Sequence, residues 1–168
     1  MATDDKGSAA WVGWPILVHS ARTAVVAVFS VLVARLCRLQ EAYWAPITTV
    51  VITQSSLGAA LTISWQRFVG TALGALVGAI VAKRFGLSIP VFGISVFMLG
   101  LVCALLRVDR SAYRFGGITL AIVLLIPRTG PAWQIAFHRF AEVSIGIGVA
   151  LLFAWVWPER ELADGEKK

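Results

Sequence analysis

The chain holds 168 residues, 58% of them hydrophobic and 14% charged, with a mean hydropathy of +0.81 and a net charge of +6. Soluble domains carry roughly 45–50% apolar and about 25% charged residues, so this composition argues against a water-soluble fold. Most of the 15 Lys and Arg fall at the ends of apolar stretches instead of clustering on one polar face, which argues against nucleic-acid binding.

Residues 1–10 form a polar N-terminal tail with Asp4, Asp5 and Lys6, lacking the basic start and small-residue cleavage site of a signal peptide. The first apolar stretch, about Trp14 to Ala34, is therefore expected to stay as an anchor, and it closes at Arg35 and Arg38. The second opens after Glu41 with Tyr43, Trp44 and Pro46, a proline suited to a first helical turn, and runs through Thr53. Gln54, Ser55, Ser56 and Gly58 make a polar break before the third, about Ala59 to Ala82, which stops at Lys83, Arg84 and Gly86. The fourth spans about Ile89 to Leu106 and closes at Arg107. A basic loop with Asp109, Arg110 and Arg114 leads into the fifth, Phe115 to Ile126. Pro127, Arg128, Thr129, Gly130 and Pro131 then break the chain, and the sixth stretch runs from about Trp133 to Trp157 before a polar tail over 159–168.

Nearly every stretch is apolar on two faces, which requires lipid as the solvent. A helix needs about 20 residues to cross a hydrocarbon core of about 30 Å, so stretches one, three, four and six are long enough and two and five are short. The expected fold is all-α, an integral membrane bundle of about six transmembrane helices over 11–158. Shifting the chain by 72 sets Ile63, Trp65, Gln66, Arg67, Phe68 and Gly74 on Ile135, Phe137, His138, Arg139, Phe140 and Gly146. Three crossings per half would turn the second copy upside down, giving two inverted three-helix repeats, about 14–86 and 87–158. Short segments at matching places are the sequence pointer to a transporter's binding region. Basic residues divide nine (Lys6, Arg22, Arg67, Arg107, Arg110, Arg114, Arg160, Lys167, Lys168) against six (Arg35, Arg38, Lys83, Arg84, Arg128, Arg139), which favours both termini in the cytoplasm.

Arg67 and Arg139 are expected about nine residues inside their helices, or about 13 Å at 1.5 Å per residue. A charge near the bilayer centre costs at least about 2.5–3.5 kcal/mol, so such arginines normally face a partner or a wet path. Two of them at matching depth would make a positive waist able to grip a carboxylate by paired hydrogen bonds. The bland alternative is that each helix starts at its arginine, which snorkels to the headgroups. Glu142 follows Arg139 by three residues, and His19 precedes Arg22 by three, so each pair shares a helix face as a structural bridge or a proton relay. Gly70, Gly74 and Gly78 put a bare stripe on the third helix for close helix packing. Trp11, Trp14, Trp65, Trp133, Trp155 and Trp157 read as interfacial belt residues, and Trp44 as the one to face a ligand. Cys37 and Cys103 read as packing residues, no metal spacing or cofactor motif is present, and no nucleophile–base set suggests an enzyme.

The run Tyr43-Trp44-Ala45, then Gln54-Ser55-Ser56-Leu57-Gly58-Ala59, then Arg67-Phe68-Val69-Gly70-Thr71-Ala72-Leu73-Gly74 resembles the signature of the fusaric-acid-resistance-like proteins. These belong to the aromatic acid exporter superfamily, to which plant aluminium-activated malate transporters are related. The likeness runs from about Arg22 to Pro158, although the family usually has proline where Ser55 stands and often threonine where Ala60 stands. It implies a six-helix bundle in the cell inner (plasma) membrane that exports or conducts organic anions, often aromatic carboxylates, with a homodimer supplying the second bundle that larger relatives carry. By motif, Arg67, Thr71, Tyr43, Trp44 and Gln54 are the expected substrate-binding region, joined by Arg139 from the internal repeat. The rival expectation is a membrane scaffold, or a subunit of a larger membrane complex, that transports nothing.

Overall fold

The computed structural model describes residues 6–39, 41–53, 57–86, 88–126 and 130–157, with the backbone alone over 6–15. Six helices account for nearly all of them: α1 (Lys6–Leu36), α2 (Trp44–Thr53), α3 (Leu57–Phe85), α4 (Ile89–Leu105), α5 (Arg110–Leu125) and α6 (Ala132–Val156). No strand occurs among the described residues. Three helical spans are long and apolar enough to cross a membrane, Ile16–Leu36, Leu57–Phe85 and Ala132–Val156. At 17 residues α4 reaches only about 25 Å and falls with the shorter apolar helices, against the expectation that the fourth stretch is long enough to span.

Local chemistry fixes the ends. Pro46 falls in the first turn of α2 and Pro90 in that of α4, where a missing N–H deprives the helix of nothing. Both α1 and α4 finish in the same way. Arg38 (φ 55°) and Arg107 (φ 52°) adopt the left-handed conformation just past the helix. The N–H of Arg38 then donates to the Arg35 carbonyl and that of Leu39 to Ala34, while Arg107 donates to Ala104 and Val108 to Cys103. This is the Schellman closure, which usually recruits glycine; here a cation sits instead at the negative end of each helix dipole.

Some boundaries differ from the sequence expectation. Helix α1 is under way by Lys6, inside the stretch read as a polar tail, and α5 begins at Arg110, so Arg110 and Arg114 belong to its first turns and not to a loop. Because α3 starts at Leu57 and α6 at Ala132, neither helix begins at its arginine. Cys103 is buried as expected of a packing residue, but Cys37 is exposed in the α1–α2 turn.

Helix α3 lies at the centre, packed chiefly on α5 and α6, while α2 packs on α6 and α1, and α4 on α5 and α3. Exchanging α1, α2 and α3 for α4, α5 and α6 leaves the set of touching pairs unchanged. Glycine sets the closest approaches. A Cβ at Gly70 or Gly74 would overlap the carbonyl oxygen of Ala112 or Gly116 on α5, and one at Gly78 would lie 3.0 Å from Val123 Cγ1. On the other side a Cβ at Gly146 of α6 would meet the Ala45 carbonyl of α2. The outward faces are apolar, with exposed Val28 and Leu32 on α1, Leu76 and Ile80 on α3, and Ile94 and Leu101 on α4. In water such a surface would drive aggregation.

Candidate functional site

Arg67 is the eleventh residue of α3 and Arg139 the eighth of α6, about 15 and 10 Å from the first residues of their helices. Both are buried, Arg67 at 8% and Arg139 at 1% exposure. Each guanidinium lies over an aromatic ring from the opposite half of the chain. The Arg67 Cζ is 4.8 Å from the centre of the Phe115 ring of α5, and the Arg139 Cζ is 3.7 Å from that of Trp44 at the start of α2. Beside them the rings of Phe68 and Phe140 meet at 5.0 Å. Stacking on a ring face is worth about 2 kcal/mol to a desolvated cation, so the aromatics hold the guanidiniums without supplying a counter-charge.

A polar cluster surrounds Arg139. Glu142, with no exposed surface, sits one turn on in α6 and sets Oε2 3.6 Å from Arg139 Nη1. Its Oε1 accepts the backbone N–H of Glu41 at 3.2 Å, and the Trp44 indole N–H donates to Glu41 Oε2 at 3.0 Å. The α1–α2 turn is thereby tied to α6 through a carboxylate that also balances a buried cation. Thr49 adds a second tie, its Oγ1 within hydrogen-bond reach of Ser30 Oγ (2.9 Å) and the Gly146 carbonyl (3.1 Å).

The other expected site residues divide. Thr71 is buried one turn after Arg67 and shares its face. Trp44 is half-buried over Arg139, whereas Tyr43 is exposed, its ring 5.5 Å from that of Trp44. Gln54 lies outside the described residues. Arg22 is buried and His19 half-buried in α1. Trp65, Trp133, Trp155 and Trp157 are exposed, as belt residues should be; the side chains of Trp11 and Trp14 lie outside the described part. No group of three or more His, Cys, Asp or Glu able to hold a metal ion occurs among the described residues.

Sequence reading missed Glu41, Phe115 and Ser64. Ser64 precedes Arg67 by three residues, is 4% exposed, and its Oγ has no hydrogen-bond partner. Phe115 was within reach, because an offset of 71 instead of 72 carries Trp44 onto it and Glu41 onto Ala112.

Comparison with known proteins agrees with this architecture. The model of the fusaric acid resistance protein-like family matches residues 26–153. Among curated proteins, the inner membrane protein YeeA of Escherichia coli (strain K12) is 31% identical over 148 residues, which are 86% of this chain and 42% of that protein. The chain thus spans less than half the length of that relative. No solved structure matches. With its apolar helical exterior, its buried arginine pair and a family match over most of its length, the chain is a membrane protein belonging to the fusaric acid resistance protein-like family.

Proposed function

We propose that this protein is a transporter or channel for small organic anions, aromatic carboxylates among them, built from two inverted three-helix repeats. The observation that carries the reading is the pair of buried arginines, each seated on an aromatic ring of the other half. Under the offset of 72 Arg67 corresponds to Arg139 and Phe68 to Phe140, and Trp44 corresponds to Phe115 with a slip of one residue. The exchange-invariant helix contacts and the twin arginine turns support the same relation.

Halves inverted in a membrane are related by an axis lying in the membrane plane at mid-height. Residues that touch their own counterparts lie on that axis, and Phe68 touches Phe140. The adjacent arginines then sit near the middle of the bilayer, where a cation is tolerated only beside a partner or a route for one. In this arrangement each half makes three passes with both termini in the cytoplasm, and α2 and α5, at 10 and 16 residues too short to span the hydrocarbon core alone, make theirs sheltered inside the bundle. A homodimer would set two such bundles side by side.

Benzoate flux into proteoliposomes tests the proposal. Wild-type protein should carry benzoate and the variant Arg67→Ala/Arg139→Ala should not. Equal flux by both removes the arginines from the mechanism, and no flux by wild type favours a scaffold that only packs against a partner.

A further inference from the structure

We propose that the two arginines are unequal: Arg67, together with Ser64, seats the carboxylate of the transported anion, while Arg139 is a positioning residue already neutralised by Glu142. The inference rests on the anion-transport reading and names the seat within it. It comes from comparing the two halves position by position. Around Arg139 stand Glu142, Glu41 and the Trp44 indole, joined by an ion pair and two hydrogen bonds. Their counterparts around Arg67, Gly70 at the offset of 72 and Ala112 and Phe115 at the offset of 71, carry no polar side chain. Gly70 cannot regain a carboxylate, because its Cβ position overlaps the Ala112 carbonyl oxygen.

Arg67 is therefore a buried cation with no carboxylate against it among the described residues, and its Nε has no hydrogen-bond partner. A carboxylate gripping arginine side-on uses Nε and one terminal nitrogen; what sets Arg67 apart is the missing carboxylate, since Arg139 Nε also makes no hydrogen bond beside its ion pair with Glu142. Ser64, on the same face one turn earlier, holds a second unsatisfied buried group in its hydroxyl. Unpaired buried charge is costly, and an arriving anion offsets that cost at Arg67 but not at Arg139. Phe115 beneath the guanidinium offers an aromatic surface beside the seat, suited to the ring of an aromatic carboxylate. The pair Arg139 and Glu142 shows in covalent form what the occupied seat resembles, a guanidinium on a ring with a carboxylate at its edge.

The test is Ser64→Asp, which would tether a carboxylate three residues before Arg67, much as Glu142 follows Arg139 by three. Benzoate is titrated against purified wild type and variants at constant ionic strength, reading binding by thermal shift and transport by liposome flux. Ser64→Asp should lose benzoate binding at least tenfold yet unfold at a higher temperature than wild type without ligand, an outcome that general damage cannot produce. Ser64→Ala should weaken binding about tenfold, the loss of one hydrogen bond to a charged ligand. The charge-neutral pair Arg139→Gln/Glu142→Gln should lose less benzoate affinity than Arg67→Gln, the split expected when the group removed positions the seat without touching the anion. Wild-type benzoate binding that survives Ser64→Asp, or that vanishes in the Arg139→Gln/Glu142→Gln pair while Arg67→Gln keeps it, overturns the assignment and leaves anion transport standing. Absence of benzoate binding and flux in wild type overturns both.

Discussion

Gly74→Ala adds one methyl group where the carbonyl oxygen of Gly116 already lies. Real Cβ atoms essentially never approach a heavy atom within 3.0 Å, and the atom in the way is backbone, so α3 and α5 must part. A shift on the order of 1 Å in a close-packed contact carries an overpacking cost of about 1–3 kcal/mol. Alanine favours a helix over glycine by about 0.5–1 kcal/mol, which would obscure the effect if the variant were judged alone. Gly148→Ala is the matched control: it lies in α6 with nothing within 4 Å of its Cβ position, so it gains the same helix preference at no steric cost. The preference cancels between the two variants and the overpacking term remains. For a chain of this size 1 kcal/mol moves the melting temperature by about 2–4 °C, so Gly74→Ala should melt about 2–12 °C below Gly148→Ala. Thermal unfolding in detergent, followed by tryptophan fluorescence, reads the difference. Equal melting temperatures, or the reverse order, would refute the glycine-mediated α3–α5 contact.

Two further outcomes follow from the cluster and from the inverted arrangement. Trp44→Phe keeps a ring over Arg139 but loses the indole bond to Glu41, costing about 1 kcal/mol, whereas Trp44→Ala also gives up about 2 kcal/mol of cation–ring attraction. Melting temperatures should therefore fall in the order wild type, Trp44→Phe, Trp44→Ala. The exposed thiol of Cys37 in the α1–α2 turn and an Arg107→Cys thiol in the α4–α5 turn, the latter made with Cys37→Ser, should face opposite sides of the membrane. An impermeant maleimide applied to sealed cells should label Cys37 and spare the engineered thiol; labelling of both contradicts an inverted pair.

Much of the fold was legible because lipid imposes one simple demand, long apolar runs cut by charge, and apart from the start of α1, eight residues early, the helices begin and end within about five residues of those cuts. Helix α5 was read short because Arg110 and Arg114 mark a boundary by charge, yet a helix end facing water carries arginine readily. The arginine pair was legible too, since arginine is rare in such stretches and both fell on one offset. Its inequality was not. Glu142 aligns with Gly70, and a glycine opposite a carboxylate reads as a mismatch until the structure brings Glu41 and Trp44 to one and the Ala112 backbone to the other. Ser64 gave no signal, because a serine in an apolar helix usually satisfies itself on a backbone carbonyl one turn back, as Ser95 and Ser144 do here.

The central claim, that the arginine pair sits at mid-bilayer between two oppositely facing halves, is tested most directly by depth. Phe68 adjoins Arg67 and is 37% exposed, so a nitroxide on Phe68→Cys, with Cys37→Ser and Cys103→Ala, reports the height of the pair from the lipid side. In liposomes its collisions with oxygen should far exceed those with a water-soluble nickel chelate, fixing it within roughly 5 Å of the centre of a hydrocarbon core about 30 Å thick. A nitroxide at headgroup height, more accessible to nickel than to oxygen, would contradict the account.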